Sequence, residues 1–168
     1  MDLEKILNEH EKFQKQIKQW RKRSYNDAVI SCIAEIVEFN EEIGYYAHDT
    51  WKKKEYSREK MLEELVDVLF FFFELLEIKK VSKKVIAKLS KAIKDKYFFD
   101  EVLSMDNNLF LQLILKLIFL EYEEFLKIFF KIAKIYNVKL DEVEEVFYKK
   151  LEKNYKRISS EWRWKTNE

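Results

Sequence analysis

Four carboxylates lie in two pairs in the first half of the sequence, and the acids of each pair are three residues apart. Glu35 and Glu38 form the first pair, in AEIVEFNEEIG. Glu64 and Asp67 form the second, in MLEELVDVLFFFF. Residues at i and i+3 share one helix face, so each pair directs two carboxylates to the same side. Clustering these charges near an apolar core is unfavourable unless some are protonated or a cation binds them. Oxygen ligands without His or Cys suit hard ions, so the pattern predicts a Mg²⁺ site, with Mn²⁺ as the second choice.

The composition indicates that helices position these acids. The 168 residues contain no proline and one glycine, Gly44, so the sequence lacks the turn residues that β-sheets need. A chain of this length can bury one core, and no linker-like segment interrupts it. We therefore expect one all-α domain, a helical bundle over residues 1–168.

Apolar spacing predicts seven helices, of which the second and third carry the acids. The second should begin at an N-cap at Asn26 or Asp27 and end at Gly44, a residue type that favours helix ends. The third should begin at Ser57 and extend to residue 78, after a loop over residues 45–57. The other helices are expected over residues 3–23, 82–96, 109–120, a segment ending at 136, and 140–157.

Charge and hydropathy limit the partners and the compartment. Lys and Arg number 32 against 31 for Asp and Glu, and a net charge of +1 argues against broad attraction to nucleic acid or a membrane surface. The apolar stretches are shorter than the ~20 residues that a spanning helix needs, so we expect a soluble protein. One cysteine precludes an intramolecular disulfide, and residues 1–13 contain no apolar signal segment, which favours the cytoplasm.

Three further residues of metal-binding type receive plainer interpretations. Cys32 lies one turn before Glu35 on an apolar helix, so we expect a buried core thiol rather than a nucleophile. His10 and His48 have no partner at the spacing of metal ligands, and we expect both at the surface.

The two acidic pairs resemble the metal-binding core of the all-α nucleoside triphosphate pyrophosphatases, whose signature is ExxE followed by ExxD. MazG-type pyrophosphatases and the dimeric all-α dUTPases share this core. Three more features are similar to the dimeric dUTPases: Glu42 after the first pair, the adjacent Trp51 and Lys52, and a C-terminal pattern of Lys150, Asn154 and Arg157.

The resemblance implies a homodimer that uses Mg²⁺ to hydrolyse dUTP to dUMP and pyrophosphate. Broad apolar faces on several helices also favour a dimer. The catalytic and metal-binding residues implied by the resemblance are Glu35, Glu38, Glu64 and Asp67. Among them, Glu35 would take the proton of the attacking water, because a carboxylate that binds the metal is within reach of that water.

The resemblance also implies the residues that bind the substrate. Trp51 would stack on the base, and Lys52 would reach a phosphate. Lys150 and Arg157 would contact the β- and γ-phosphates, with Arg157 able to bind them bidentately. Asn154 would contact the sugar, a phosphate or the base edge, because its amide can both donate and accept hydrogen bonds.

The C-terminal element departs from the family pattern. Ile158, Glu161 and Trp162 stand where the family has Gln, Gly and Tyr, and no lysine directly precedes Trp51. Two alternatives therefore stay open. One is a MazG-like or dCTPase-like pyrophosphatase that acts on another nucleotide. The other is a non-catalytic helical module that binds a nucleotide or a protein.

Overall fold

All regular structure in the described part of the computed structural model is helical, which confirms the predicted all-α class. The structure describes residues 1–17, 23–43, 56–94 and 109–165. Within these ranges the helices are α1 (Leu3–Ile17), α2 (Tyr25–Glu42), α3 (Arg58–Ile78), α4 (Lys83–Lys94), α5 (Leu109–Ile118), α6 (Tyr122–Ile135) and α7 (Leu140–Lys165). Among them, no helix is long and apolar enough to cross a membrane.

Serine N-caps begin both helices that carry the acidic pairs. At α2 the Ser24 hydroxyl accepts a hydrogen bond from the Asp27 backbone N–H, and the Asp27 carboxylate accepts one from the Ser24 N–H at 2.8 Å. The expected N-cap at Asn26 or Asp27 is therefore wrong, because Asp27 completes the capping box from the third position of the helix. The expected start of α3 is confirmed, since Ser57 caps it by accepting from the Lys60 N–H.

Two predicted helix ends, those of α2 and α7, have different outcomes. The predicted end of α2 at Gly44 lies outside the described residues, and the last helical residue described there is Glu42. The last helix continues to Lys165, beyond the predicted end near residue 157. Its C-terminal part contains neither Gly nor Pro, so no residue there disfavours further helical turns.

α3 is the central helix, and its aromatic side chains form much of the core. It packs most extensively against α2 and also contacts α1 and α7. Phe72 stacks on Phe125 of α6 with ring centroids 4.2 Å apart, and Phe70 stacks on Phe147 of α7 at 4.7 Å. Cys32 is buried with its thiol directed at the Val68 carbonyl, which confirms its assignment to the core.

His10 is buried in this core, so the expectation of a surface histidine is wrong. Its side chain is inaccessible to solvent, and Nδ1 lies 2.7 Å from Oε1 of Glu77. The physical reason is its spacing, since His10 continues the apolar stripe of Leu3, Leu7 and Phe13 that packs α1 against α3. His48 lies outside the described residues.

Candidate metal centre

Three carboxylates from α2 and α3 converge where the two helices pack. Glu35, Glu64 and Asp67 each present an oxygen atom, and these atoms all lie within 4.8 Å of one another. All three side chains are half-buried. Glu38 is exposed and lies outside this set, although it is near enough to raise the pKa of each of the three acids.

Local helix geometry explains why these acids meet. The i, i+3 spacing places Glu64 and Asp67 on one side of α3, while Leu65 and Val66 between them are buried in the core. On α2, Ile36 is buried beside Glu35 in the same way. The carboxylates therefore lie at the edge of the α2–α3 contact, where they are partly desolvated but still open to a ligand.

Electrostatics in the described structure favour the binding of a cation at this edge. Burial, followed by the charges of Asp67, Glu38 and Glu64, raises the pKa of Glu35 to about 7. Burial and neighbouring carboxylates also raise the pKa of Glu64 and, against the opposing effect of Lys150, that of Asp67. Raised pKa values mean that the ionised forms of these acids are disfavoured, and a bound cation would stabilise them.

α7 supplies one positive charge to this cluster. The Lys150 ammonium donates a hydrogen bond to Oδ2 of Asp67, and the two side chains are 20% and 14% exposed. Its charge lowers the pKa of all three clustered acids. Asn154 is half-buried and Arg157 is exposed, one and two turns farther along the same side of α7. Of the C-terminal residues in the sequence pattern, the structure thus brings Lys150 into contact with the clustered acids.

An open groove adjoins the cluster between α3 and α7. Its volume is about 520 Å³, and its lining includes Leu62, Glu63, Val146 and Lys150. Lys150 lines the groove and also contacts Asp67, so this side chain connects the groove to the carboxylate cluster. The groove offers room for a small ligand next to groups that can bind a cation and an anion.

Two of the sequence-predicted residues cannot be placed relative to this cluster. Trp51 and Lys52 lie outside the described residues. Glu42, one of the features that resemble the dimeric dUTPases, is half-buried and close enough to raise the pKa of Glu64. The contact of Lys150 with Asp67 was not anticipated, because the two residues are 83 positions apart and no local spacing connects them.

The chain matches one family of known proteins over nearly its whole length. A family model described as dUTPase matches residues 2–162, a range that contains both acidic pairs and most of α7. A search of curated proteins finds no match. The family match agrees with the resemblance that the acidic pairs and the C-terminal pattern indicate.

Proposed function

The chain belongs to this helical dUTPase family, and from that premise we propose that the carboxylates of α2 and α3 form its active site. The protein is a nucleotide pyrophosphohydrolase that converts dUTP to dUMP and pyrophosphate. In the proposed site, Glu35, Glu38, Glu64 and Asp67 hold a divalent metal ion and act in catalysis. The observation that carries the proposal is the convergence of three of these carboxylates within 4.8 Å.

The donor set fits a hard divalent cation, and we propose Mg²⁺, with Mn²⁺ able to replace it. All the donor groups are carboxylates, which these ions prefer. Cys32 lies one turn from Glu35, but its thiol points to the Val68 carbonyl, and burial raises the pKa of this thiol so that it stays protonated. A bound ion would counter the charge of the triphosphate and lower the pKa of the attacking water.

One of these carboxylates also acts as the general base. Water attacks the α-phosphorus, a new oxygen–phosphorus bond forms, and the bond to the leaving pyrophosphate breaks. Glu35 accepts the proton released by the water, because a carboxylate in the cluster lies close to any water held there. Helices rather than loops carry Glu35, Glu64 and Asp67, so their spacing is set before the substrate arrives.

We assign the substrate contacts to α7 and to the segment between α2 and α3. Arg157 binds the phosphates bidentately, Lys150 binds them as a point charge, and Asn154 contacts the sugar, a phosphate or the base. Trp51 stacks on the base and Lys52 binds a phosphate. The position of Asn154 and Arg157 beside Lys150 on one side of α7 supports the first three assignments.

We also propose that the protein is a homodimer. α2 and α5 contact each other, and several large apolar side chains on these helices and on the turn after α5 are exposed. They are Ile30, Val37, Leu111, Leu115, Ile118 and Phe119. Ile30 and Phe119 are 67% and 68% exposed, and a contiguous exposed apolar patch is typical of a protein interaction surface. A second copy would cover this surface by presenting the same patch.

The single cysteine, a free buried thiol, suits action in the cytoplasm.

One assay tests the proposed site and the substrate together. Release of monophosphate and pyrophosphate is measured with dUTP, dCTP, dTTP and UTP, in Mg²⁺ and again in excess chelator. We expect turnover of dUTP well above dTTP and UTP, lost in chelator and restored by Mg²⁺. Turnover of dUTP that persists in chelator would contradict the metal centre. Equal turnover of another nucleotide would contradict specificity for dUTP and indicate a pyrophosphatase with a broader substrate range.

A further inference from the structure

The carboxylate cluster already contains a cation from the protein itself. Lys150 donates a hydrogen bond to Asp67, and both side chains are largely shielded from solvent, at 20% and 14% exposure. Other lysines on α7 are arranged differently. Lys149 is 71% exposed and pairs with Glu145 one turn away, and Lys156 is 75% exposed and pairs with Glu152. Lys150 is thus directed into the site while its neighbours remain on the solvent side.

We propose that Lys150 is a tethered counter-ion that neutralises the cluster in the metal-free enzyme, and that the incoming divalent cation displaces its ammonium group towards the nucleotide-binding side of α7. This inference rests on the proposed function. It gives one residue two successive partners, first the carboxylate of Asp67 and then a phosphate. It also makes metal loading a condition for the complete phosphate site.

The displacement follows from competition for the same carboxylate. Asp67 belongs to the set of carboxylates that converge within 4.8 Å, so an ion held by that set binds the carboxylate that the ammonium group now contacts. An ammonium group and a divalent cation repel each other strongly at contact distance in a partly desolvated site. The cluster therefore cannot retain both cations in the present arrangement.

The lysine has a second position within reach. Its side chain is a flexible four-carbon stem that can change rotamer without movement of α7. Lys150 also lines the open groove beside the cluster, and Arg157 lies two turns away on the same side of the helix. Released from Asp67, the ammonium group would face this groove, where it would be accessible to an anionic ligand.

Amine labelling of the full chain tests the displacement directly. Protein freed of metal is treated briefly with an acylating reagent, with and without saturating Mg²⁺ and without nucleotide, and peptide mass spectrometry follows each lysine. We expect the Lys150 labelling rate to rise severalfold with Mg²⁺, while Lys149 and Lys153 stay constant as internal references. Calorimetry on the same samples measures Mg²⁺ binding. An unchanged Lys150 rate in protein that binds Mg²⁺ would overturn the inference alone, whereas absence of Mg²⁺ binding would overturn the metal centre as well.

Matched variants separate competition from the general charge of α7. Lys150→Met removes the tethered cation, and Lys149→Met removes an equal charge from the next residue on the helix. We expect Lys150→Met to bind Mg²⁺ about tenfold more tightly than the wild type, because no ammonium group must be displaced, and Lys149→Met to bind as the wild type does. Equal Mg²⁺ affinity of the two variants would refute the competition.

Discussion

His10 and Glu77 join α1 to α3 through a hydrogen bond of 2.7 Å between Nδ1 and Oε1, although they are 67 residues apart in the sequence. Their side chains are 0% and 7% exposed. The rings of Phe70 and Phe73 meet the imidazole edge-on at 5.0 and 5.8 Å. A polar pair enclosed by aromatic rings has no access to water as a replacement partner, so its loss should destabilise the fold.

Glu77→Ala tests the contribution of this pair to stability. The change leaves Nδ1 of His10 buried without its partner, and we expect a loss of about 1–3 kcal/mol in the free energy of unfolding. Glu77→Gln should lose less, because its amide oxygen can still accept from Nδ1. Urea unfolding measures both. Glu9→Ala removes an exposed pair with Lys12 and should cost little, because water solvates both charges. A Glu77→Ala loss as small as this would show that the buried pair is not stabilising.

Glu64→Gln tests the carboxylate cluster. The substitution keeps the shape of the side chain and removes one negative charge from the proposed ligand set, so kcat for dUTP should fall by about 100-fold or more. Circular dichroism should show an unchanged helical content. Glu11→Gln, on α1, removes an equal charge outside the groove and the cluster, and it should keep full activity. Full activity in Glu64→Gln would reject this cluster as the active site.

Arg157→Lys tests phosphate recognition by α7. Lysine keeps the charge but cannot form the two parallel hydrogen bonds of a guanidinium, so KM for dUTP should rise about tenfold, with a smaller change in kcat. Lys156→Met removes a cation that pairs with Glu152 in solvent and should leave KM unchanged. If both variants raised KM equally, only the total charge of the helix would matter.

The raised pKa of Glu35 predicts how the stability of the metal-free protein varies with pH. Burial, then Asp67, Glu38 and Glu64, raises this pKa from 4.5 to about 7. The folded state then holds the proton more tightly than the unfolded state does. This contribution to stability is complete below pH 4.5 and is lost as the pH rises through about 7.

Urea unfolding in chelator between pH 4 and pH 8 measures this dependence. Glu35→Gln cannot ionise and should flatten this part of the profile, whereas Glu11→Gln, on α1, should retain the wild-type slope. Added Mg²⁺ should reverse the trend, because the cation binds the ionised cluster. Identical slopes for the wild type and Glu35→Gln in chelator would exclude Glu35 as their source.

Charged substitutions in the exposed apolar patch test the homodimer. Leu111→Glu on α5 or Ile30→Glu on α2 would place a desolvated charge in the proposed interface, and sedimentation should show a shift from dimer to monomer. Val85→Glu changes an exposed apolar residue on α4, outside the patch, and should leave the dimer intact. A wild-type chain that sediments as a monomer at micromolar concentration would contradict the proposal.

The part of the site that sequence predicts best is the part that depends on local spacing. The i, i+3 pairs and the Ser57 N-cap are properties of single helices. Ser57 caps α3 as predicted, and Glu64 and Asp67 converge with Glu35, whereas Glu38 is exposed outside the set. The start of α2 was misplaced because Asp27 is itself a common N-cap residue, and only the paired hydrogen bonds with Ser24 reveal the capping box. The burial of His10 could have been predicted, since it occupies an apolar position on α1.

Contacts between distant segments depend on how helices pack and not on local spacing. Nothing in the spacing of α7 indicates that Lys150, rather than Lys149 or Lys153, turns towards Asp67, because the choice depends on how α7 packs across α3. The exposed patch on α5 has the same origin. Its sequence is apolar nearly all round, and only packing on α6 and α2 decides which side chains remain uncovered.

The separation of 83 positions between Asp67 and Lys150 sets an order of events during synthesis. A ribosome adds about 5–20 residues per second, so the acidic pairs of α2 and α3 leave it roughly 4–17 s before the lysine follows. During that interval Lys150 cannot neutralise the nascent carboxylates, so its hydrogen bond to Asp67 forms only after α7 has been made.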